Sequence, residues 1–416
     1  MPCILKQRTK DSPGIVTFTN NEAIHGPPRN SRKVKDFLLR SSRAGEWVYG
    51  VHIQGNCGYV KRWPIEEWES FFLWTQPDDS YLNSVPAEKK ISLNCINFMP
   101  ELHPPVPARK IYDICILSRP CPGKRIYPTL QILRELMNLK PDLKVTIMAP
   151  DPRDIRFGEK TYEAQKIDRR FFDVPLDWFS SNELKNMNFI CSSTTAFGRF
   201  PLASELMYDQ VSKSKFTLSN SHYEGVPRAY AEAHMLGIPC IVSKNLSCGM
   251  SAGLNPKNTL FTDDDPKTAA KQILDALEHY DRFQVDDEKA RQDYAETYHF
   301  EPLKKALSGV LGRAGRPVAG TWYLDELANR LPCHGKRHNY QFLNNPDLFL
   351  NWIEKVQQVD PLDEDAVLGK APLDDTFKFS PLDSYDRVME KVEKIKKLSP
   401  DKIQRKLKQI LDRKLS

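Results

Sequence analysis

Lys215-Phe-Thr-Leu-Ser-Asn-Ser-His-Tyr-Glu-Gly-Val-Pro-Arg-Ala-Tyr-Ala-Glu-Ala-His-Met-Leu-Gly-Ile-Pro-Cys-Ile-Val-Ser243 is the stretch from which the fold of this chain is read. Lys215 to His222 is a short apolar run dissolving into polar residues, the pattern of a buried strand and its exit loop. Arg228 to Leu236 reads as a helix, Gly237 as its C-terminal stop and Pro239 to Ser243 as the next strand. The unit is strand, loop, helix, strand. In a right-handed crossover of that kind, ligands sit where loops leave the carboxyl ends of parallel strands and face helix N-termini.

Glu224 falls in that loop. Gly225 and Val226 lead from it to the helix, whose first amides, at Arg228 and Ala229, turn the positive end of the helix dipole toward an anion. Pro227 has no N–H to offer, and its fixed φ suits a first-turn position. Glu232, one turn further in, can reach back to the same crevice, where a carboxylate accepting two hydroxyl hydrogen bonds suits a ribose diol. The plain alternative is that Glu224 is a loop acid and Glu232 an exposed helix acid.

A second element lies about a hundred residues earlier. Ile111-Tyr-Asp-Ile-Cys-Ile-Leu-Ser118 reads as a buried strand, Arg119-Pro-Cys-Pro-Gly-Lys124 as a tight loop and Tyr127 to Leu139 as an amphipathic helix. Arg119 and Lys124 therefore flank another strand-to-helix turn. Two fixed cations there can neutralise a pyrophosphate, each charge-assisted contact contributing roughly 1.5–3 kcal/mol when shielded from water.

Together these motifs resemble the nucleotide-binding half of the retaining GT-B glycosyltransferases, in particular glycosyltransferase family four (group 1). That family has an Arg-x4-Lys after the first strand of its C-terminal domain and a Glu-x7-Glu about a hundred residues on. Arg119 and Lys124, then Glu224 and Glu232, stand in that order here. Met207 to Phe216 is similar to the helix before the family's Glu motif, and Ala231-Glu-Ala-His-Met-Leu-Gly-Ile-Pro239 to its Glu-Ala-x-x-x-Gly-x-Pro. The resemblance covers about residues 110 to 312.

It implies a GT-B fold of two Rossmann-like domains facing a cleft. It implies that Arg119 and Lys124 hold the diphosphate of a nucleotide-diphosphate sugar, that Glu232 holds the ribose and that Glu224 contacts the transferred sugar as the catalytic residue. Gly225, Val226, Arg228 and Ala229 complete the donor site. Members transfer with retention and without a bound metal, the cations and helix amides replacing it, so no cofactor is expected. A hexosyltransferase-like enzyme is the reading; a catalytically inactive relative that binds nucleotide sugar or a partner is the alternative. No Gly-x-Gly-x-x-Gly follows a strand, which speaks against a dinucleotide-dependent dehydrogenase. The acceptor class is a glycan, a lipid-linked glycan or another acceptor.

Two departures from the family pattern shape the domain reading. Ser243 to Leu254 lacks the paired glycines and acid of the family's donor-sugar loop. Only about 108 residues precede Arg109, so the N-terminal domain is short or remodelled. Within it Gly14–Phe18, Trp47–Ile53 and Ile91–Phe98 read as strands and Lys33–Leu39 as a helix. His52 stands at a strand end, either near the donor sugar or as an ordinary strand histidine. Pro-rich Met99 to Pro107 is a stiff connector. The expected division is 1–108 as an N-terminal acceptor-side domain, 109–312 as a C-terminal nucleotide-sugar-binding domain, and 313–416 as a mostly helical extension that returns to the first domain.

The 416 residues are 40% hydrophobic, enough for two cores. No apolar run reaches the length of a membrane span and Met1-Pro-Cys-Ile-Leu-Lys is no signal peptide, so a cytoplasmic protein is expected. Nine scattered cysteines fit reduced core thiols. The net charge of +6 is concentrated at the end, where residues 387–416 hold eleven Lys or Arg against four Asp or Glu. Val388, Val392, Ile395 and then Ile403, Leu407, Ile410 and Leu411 make this tail a pair of basic amphipathic helices. Its readings, in order, are packing on the body, peripheral contact with an anionic membrane, and nucleic-acid contact. Asp263-Asp-Asp265 contains an Asp-x-Asp, but the Pro266 that follows makes Asp265 a helix N-cap. Cys333, His334 and His338 lack the further ligands of a zinc site, so no metal site is expected.

Overall fold

The computed structural model describes residues 3–19, 23, 30–53, 70–74, 85–92, 99–104, 109–118, 122–149, 178–191, 204–224, 227–248, 253–324, 327, 346–347 and 350–351. Two larger α/β sheets organise them, the first mainly and the second wholly parallel. The first has the order β1 (Cys3–Lys6), β2 (Gly14–Thr19), β3 (Trp47–Ile53), β4 (Ser70–Trp74), β5 (Lys90–Ser92). β1 runs antiparallel to β2, and the others are parallel and in chain order. Helix α1 (Arg32–Arg43), capped by Ser31, crosses from β2 to β3. Every residue of β3 is buried, including His52. The strand is mainly apolar and does not alternate, as expected where both faces are covered.

The second sheet contains β6 (Tyr112–Leu117), β7 (Val145–Ala149), β8 (Met187–Cys191), β9 (Ser214–Ser219), β11 (Cys240–Ser243) and β13 (Thr259–Thr262). Its spatial order is β13-β11-β9-β6-β7-β8, and all its pairings are parallel. The chain thus starts in the middle, winds outward through β7 and β8, then returns to pair β9 with β6 and winds the other way. This is the doubly wound nucleotide-binding order, with its switch point between β6 and β9. A Rossmann-type second sheet together with a mainly parallel first sheet is consistent with the expected GT-B fold.

Alternation along these strands divides the second core. Ile114 and Ile116 of β6, Val145 and Ile147 of β7 and Ile241 of β11 share a cluster with α2 (Ile126–Leu139) and α6 (Pro266–Glu278). Cys115, Met148, Cys240 and Val242 face the opposite way. They join α5 (Arg228–Met235), α8 (Phe300–Arg313) and the first sheet in one continuous cluster. Between those last two helices, α7 (Asp287–Tyr294) packs against α5.

The elements expected from Gly14–Phe18, Trp47–Ile53, Ile111–Ser118, Tyr127–Leu139 and Pro239–Ser243 are present to within a residue or two. Lys33–Leu39 lies inside the longer α1. Lys90–Ser92 is the described part of the strand expected at 91–98. Asp265 caps α6 by accepting from Thr268 N, with Pro266 at the first helical position. One local expectation is corrected. Pro227 is the N-cap of α5 and not a first-turn residue, because its ψ of 103° keeps it extended although its φ of −72° would suit the helix.

After α8 the chain returns to the first sheet. Gln7 N donates to Thr321 O at 2.8 Å, Tyr323 N donates to Leu5 O at 2.9 Å, and Lys6 bridges Trp322. Ser12 ties this return segment, its Oγ donating to Pro317 O and accepting from Ala319 N. Lys6 is fully buried beneath it, Nζ donating to Gln7 O, Ser12 Oγ and Pro13 O at 3.0, 2.8 and 2.8 Å. Among the described residues no helix is long and apolar enough to cross a membrane. Cys3, Cys115, Cys240 and Cys248 are buried. The helices expected at 325–331 and 346–359, the basic tail and the Cys333–His338 group lie mostly or wholly outside the described residues.

Candidate functional site

The loops after β6 and β9 leave adjacent strands at the switch point, so the two motifs a hundred residues apart in sequence meet. Lys124 closes a short 3-10 turn before α2, and its Nζ lies 2.5 Å from Glu224 Oε1. The pair is partly buried, the side chains 25% and 13% exposed. Shielding of that degree strengthens the attraction over that of a surface pair while leaving one face open to water.

Glu224 is held by more than its own loop. With Tyr223 it forms β10 (Tyr223–Glu224), which pairs in parallel with β12 (Ser247–Cys248), Glu224 opposite Cys248. Ser247 N donates to His222 O at 2.8 Å and extends this small ribbon. The segment after β11 therefore fixes the acid, a contact that strand and helix periodicity does not announce.

Glu232 lies on α5 and is buried, which rules out the exposed helix acid of the plain alternative. Its Oε1 accepts from Arg228 Nε and Nη2 at 3.1 and 2.8 Å, and the Tyr208 hydroxyl is 3.5 Å away. Tyr208 comes from α4 (Ser204–Ser212), the element before β9. α5 ends in a Schellman turn. Gly237 at φ 72° donates to His234 O, and Ile238 N donates to Ala233 O, which is why a glycine stands there.

Beside the Lys124–Glu224 pair is a polar cluster that sequence reasoning missed. Arg125 Nη1 lies 3.1 Å from His222 Nδ1, and Arg125 Nη2 lies 3.6 Å from Asp264 Oδ1. His222 Nε2 is 2.7 Å from Asp264 Oδ2, close but off the line of a straight hydrogen bond. Asp264 also accepts from Ser243 Oγ at 2.8 Å and Asn245 Nδ2 at 2.7 Å. Burial pushes the Asp264 carboxyl up, but its contacts with His222, Asn245 and Ser243 and the charge of Arg125 outweigh that and hold it at about 2. Of the Asp263–Asp265 run, Asp265 caps α6, Asp263 pairs with Lys244 and Asp264 serves this cluster. The signals available were a second basic residue after Lys124 and a triple acid with only one member needed for capping.

Of the residues expected to form a site, the fold brings Lys124 and Glu224 into contact and places Arg228, Ala229 and Glu232 on the helix that follows. Arg119, Gly225 and Val226 lie outside the described residues. Among the described residues no group of three or more His, Cys, Asp or Glu side chains is arranged to hold a metal ion.

No protein-family model and no curated protein matches the chain. Solved structures similar to it include a mutant of S. aureus TarM in complex with fondaparinux, α-GlcNAc-glycerol and UDP, at TM-score 0.47 and 15% identity over 64% of this chain and 51% of that one. The pneumococcal O-GlcNAc transferase GtfA with UDP and GlcNAc is similar at TM-score 0.47 and 14% identity, over 67% and 55% of the two chains. Anabaena HepE with UDP and glucose is similar at TM-score 0.46 and 14% identity, over 67% and 76%. The chain spans about half the length of the TarM structures.

Proposed function

We propose that this chain is a retaining, metal-independent glycosyltransferase that takes a sugar from a nucleotide-diphosphate donor and delivers it to a glycan, lipid-linked or other acceptor. The observation that supports it most is the meeting of Lys124 and Glu224 at 2.5 Å, at the switch point of a doubly wound sheet. Two motifs a hundred residues apart can serve as one site only when the fold brings them together, and the contact of Lys124 with Glu224 supports that reading.

In this reading Arg119, Lys124 and the N-terminal end of α5 neutralise the diphosphate, the task a metal ion performs in other transferases. Glu232 takes the ribose diol through the carboxylate capacity that Arg228 leaves unused. As the bond from the anomeric carbon to the diphosphate breaks, its electron pair goes to the phosphate oxygen, where the cations stabilise it. Positive charge grows on the sugar beside Glu224. The acceptor oxygen bonds to the same face, and its proton goes to the diphosphate it displaces. Removing one preorganised charge partner from such a site costs about 2.7–4 kcal/mol of transition-state stabilisation.

The test is thermal stabilisation by UDP, GDP, ADP and their sugars, on the wild type and on Arg119→Ala and Glu232→Ala. Stabilisation by one nucleotide family, weakened by both substitutions, is the expected result. Donor hydrolysis followed by NMR at the anomeric proton then reads retention. A wild type whose melting no nucleotide shifts would remove the proposal.

A further inference from the structure

Arg125 adopts φ 48°, the one non-glycine residue with positive φ among the described residues. It is the N-cap of α2 and immediately follows Lys124. A left-handed conformation is unfavourable for a residue with a side chain, so the turn holds a guanidinium where glycine would be easier. That guanidinium is underused. A guanidinium only donates, so His222 Nδ1 must present its lone pair to Nη1 and carry its proton on Nε2, toward Asp264. The remaining contact, Nη2 to Asp264, is at 3.6 Å, and Nε is buried without a partner. Asp264 does not depend on Arg125, since Ser243, Asn245 and His222 already approach its oxygens.

A second unpartnered group stands on the loop after β9, the loop that carries His222. Asn220, at the carboxyl end of β9, is 1% exposed, and neither Oδ1 nor Nδ2 has a hydrogen-bond partner. A buried amide in that state is destabilising, and a bound polar ligand relieves it. Spare guanidinium donors, an unpartnered amide and the Lys124 ammonium therefore all lie on the loops that follow the adjacent strands β6 and β9.

We propose that Arg125 is a further anion-binding residue of this site, giving its free N–H groups to the donor's diphosphate beside Lys124, with His222 and Asp264 holding the guanidinium in place between turnovers. The proposal rests on the donor-site reading above and adds a residue to it.

Titration calorimetry of the full chain with inorganic pyrophosphate tests it, using the wild type, Lys124→Ala, Arg125→Gly, Arg125→Gln and Arg125→Lys. Glycine suits φ 48°, so Arg125→Gly is expected to melt no lower than the wild type. It should bind pyrophosphate roughly tenfold or more weakly, with a shallower salt dependence. Arg125→Gln should show the same loss and Arg125→Lys a partial recovery. Pyrophosphate binding by Arg125→Gly and Arg125→Gln within about twofold of the wild type, while Lys124→Ala weakens it, would overturn the role of Arg125 and leave the donor site standing. If neither pyrophosphate nor any nucleoside diphosphate binds the wild type, both readings fall.

Discussion

Lys124 Nζ sits 2.5 Å from Glu224 Oε1, so the cation read as a diphosphate ligand and the acid read as facing the sugar neutralise each other across the β6–β9 switch point. Glu224→Gln frees the ammonium. We expect this variant to bind nucleoside diphosphate as well as or better than the wild type, while kcat falls about 10²–10³-fold. Parallel calorimetry and turnover assays separate the two effects. Equal loss of binding and rate would mean that Glu224 acts on the ground state.

Glu232 is buried and satisfied in part by Arg228. Glu232→Gln keeps its shape and removes its charge. A ribose contact requires this variant to weaken nucleoside diphosphate binding by roughly 1.5–3 kcal/mol while leaving inorganic pyrophosphate unaffected. Equal weakening of both ligands would place Glu232 at the phosphates.

Lys6 is fully buried with three acceptors around Nζ and holds down the segment that carries Pro317 and Ala319. Lys6→Met removes the donor to Gln7 O and Pro13 O and one of the two donors to Ser12 Oγ. Denaturant unfolding should show a loss of about 2–4 kcal/mol. Ser12→Ala, which removes the hydroxyl joining Lys6 to the return segment, should lose less.

Gly50 of β3 faces the ring of Phe71 in β4, and a Cβ there would lie 2.1 Å from a ring carbon. Phe71 is fully buried and cannot move aside. Gly50→Ala is expected to lower stability by about 1–3 kcal/mol by overpacking, read from the denaturation midpoint. The smaller ring space of Phe71→Leu should rescue part of the loss.

His234 is buried on α5, its Nε2 has no partner, and burial lowers its pKa to about 4. Between that value and the unfolded value near 6.5, the unfolded chain binds the extra proton. Stability is therefore complete above about pH 6.5 and declines as pH falls toward 4, by up to about 1.4 kcal/mol per pH unit. His299 is shifted in the same direction by burial and adds to the slope. His234→Gln should flatten the acid limb in unfolding curves taken from pH 7 to pH 5.

Local chemistry is legible in the sequence. Gly237 ends α5 because only a residue at ease with φ 72° closes the Schellman turn. Asp265 and Pro266 open α6 because a short acceptor and a missing N–H suit its first turn. The strands at 112–117 and 240–243 are readable as buried apolar runs, and the resemblance implies that Lys124 and Glu224 serve one donor site, although not that they pair directly. These features depend on neighbours within one turn or one strand, or on a resemblance carried by four residues.

The rest depended on which strand lies beside which. Glu232 became a buried acid through the packing of α5 against the sheet and the approach of Tyr208 from α4. Arg125, His222 and Asp264 come from three separate loops and meet only because β6, β9 and β13 open at one sheet edge. Lys6 is buried because a segment over three hundred residues away lies across β1. Periodicities of 2 and 3.6 state which side of an element is apolar but not what covers it. That partner is set by the free energy of burying the whole sheet at once, and it assigned these charged side chains their roles.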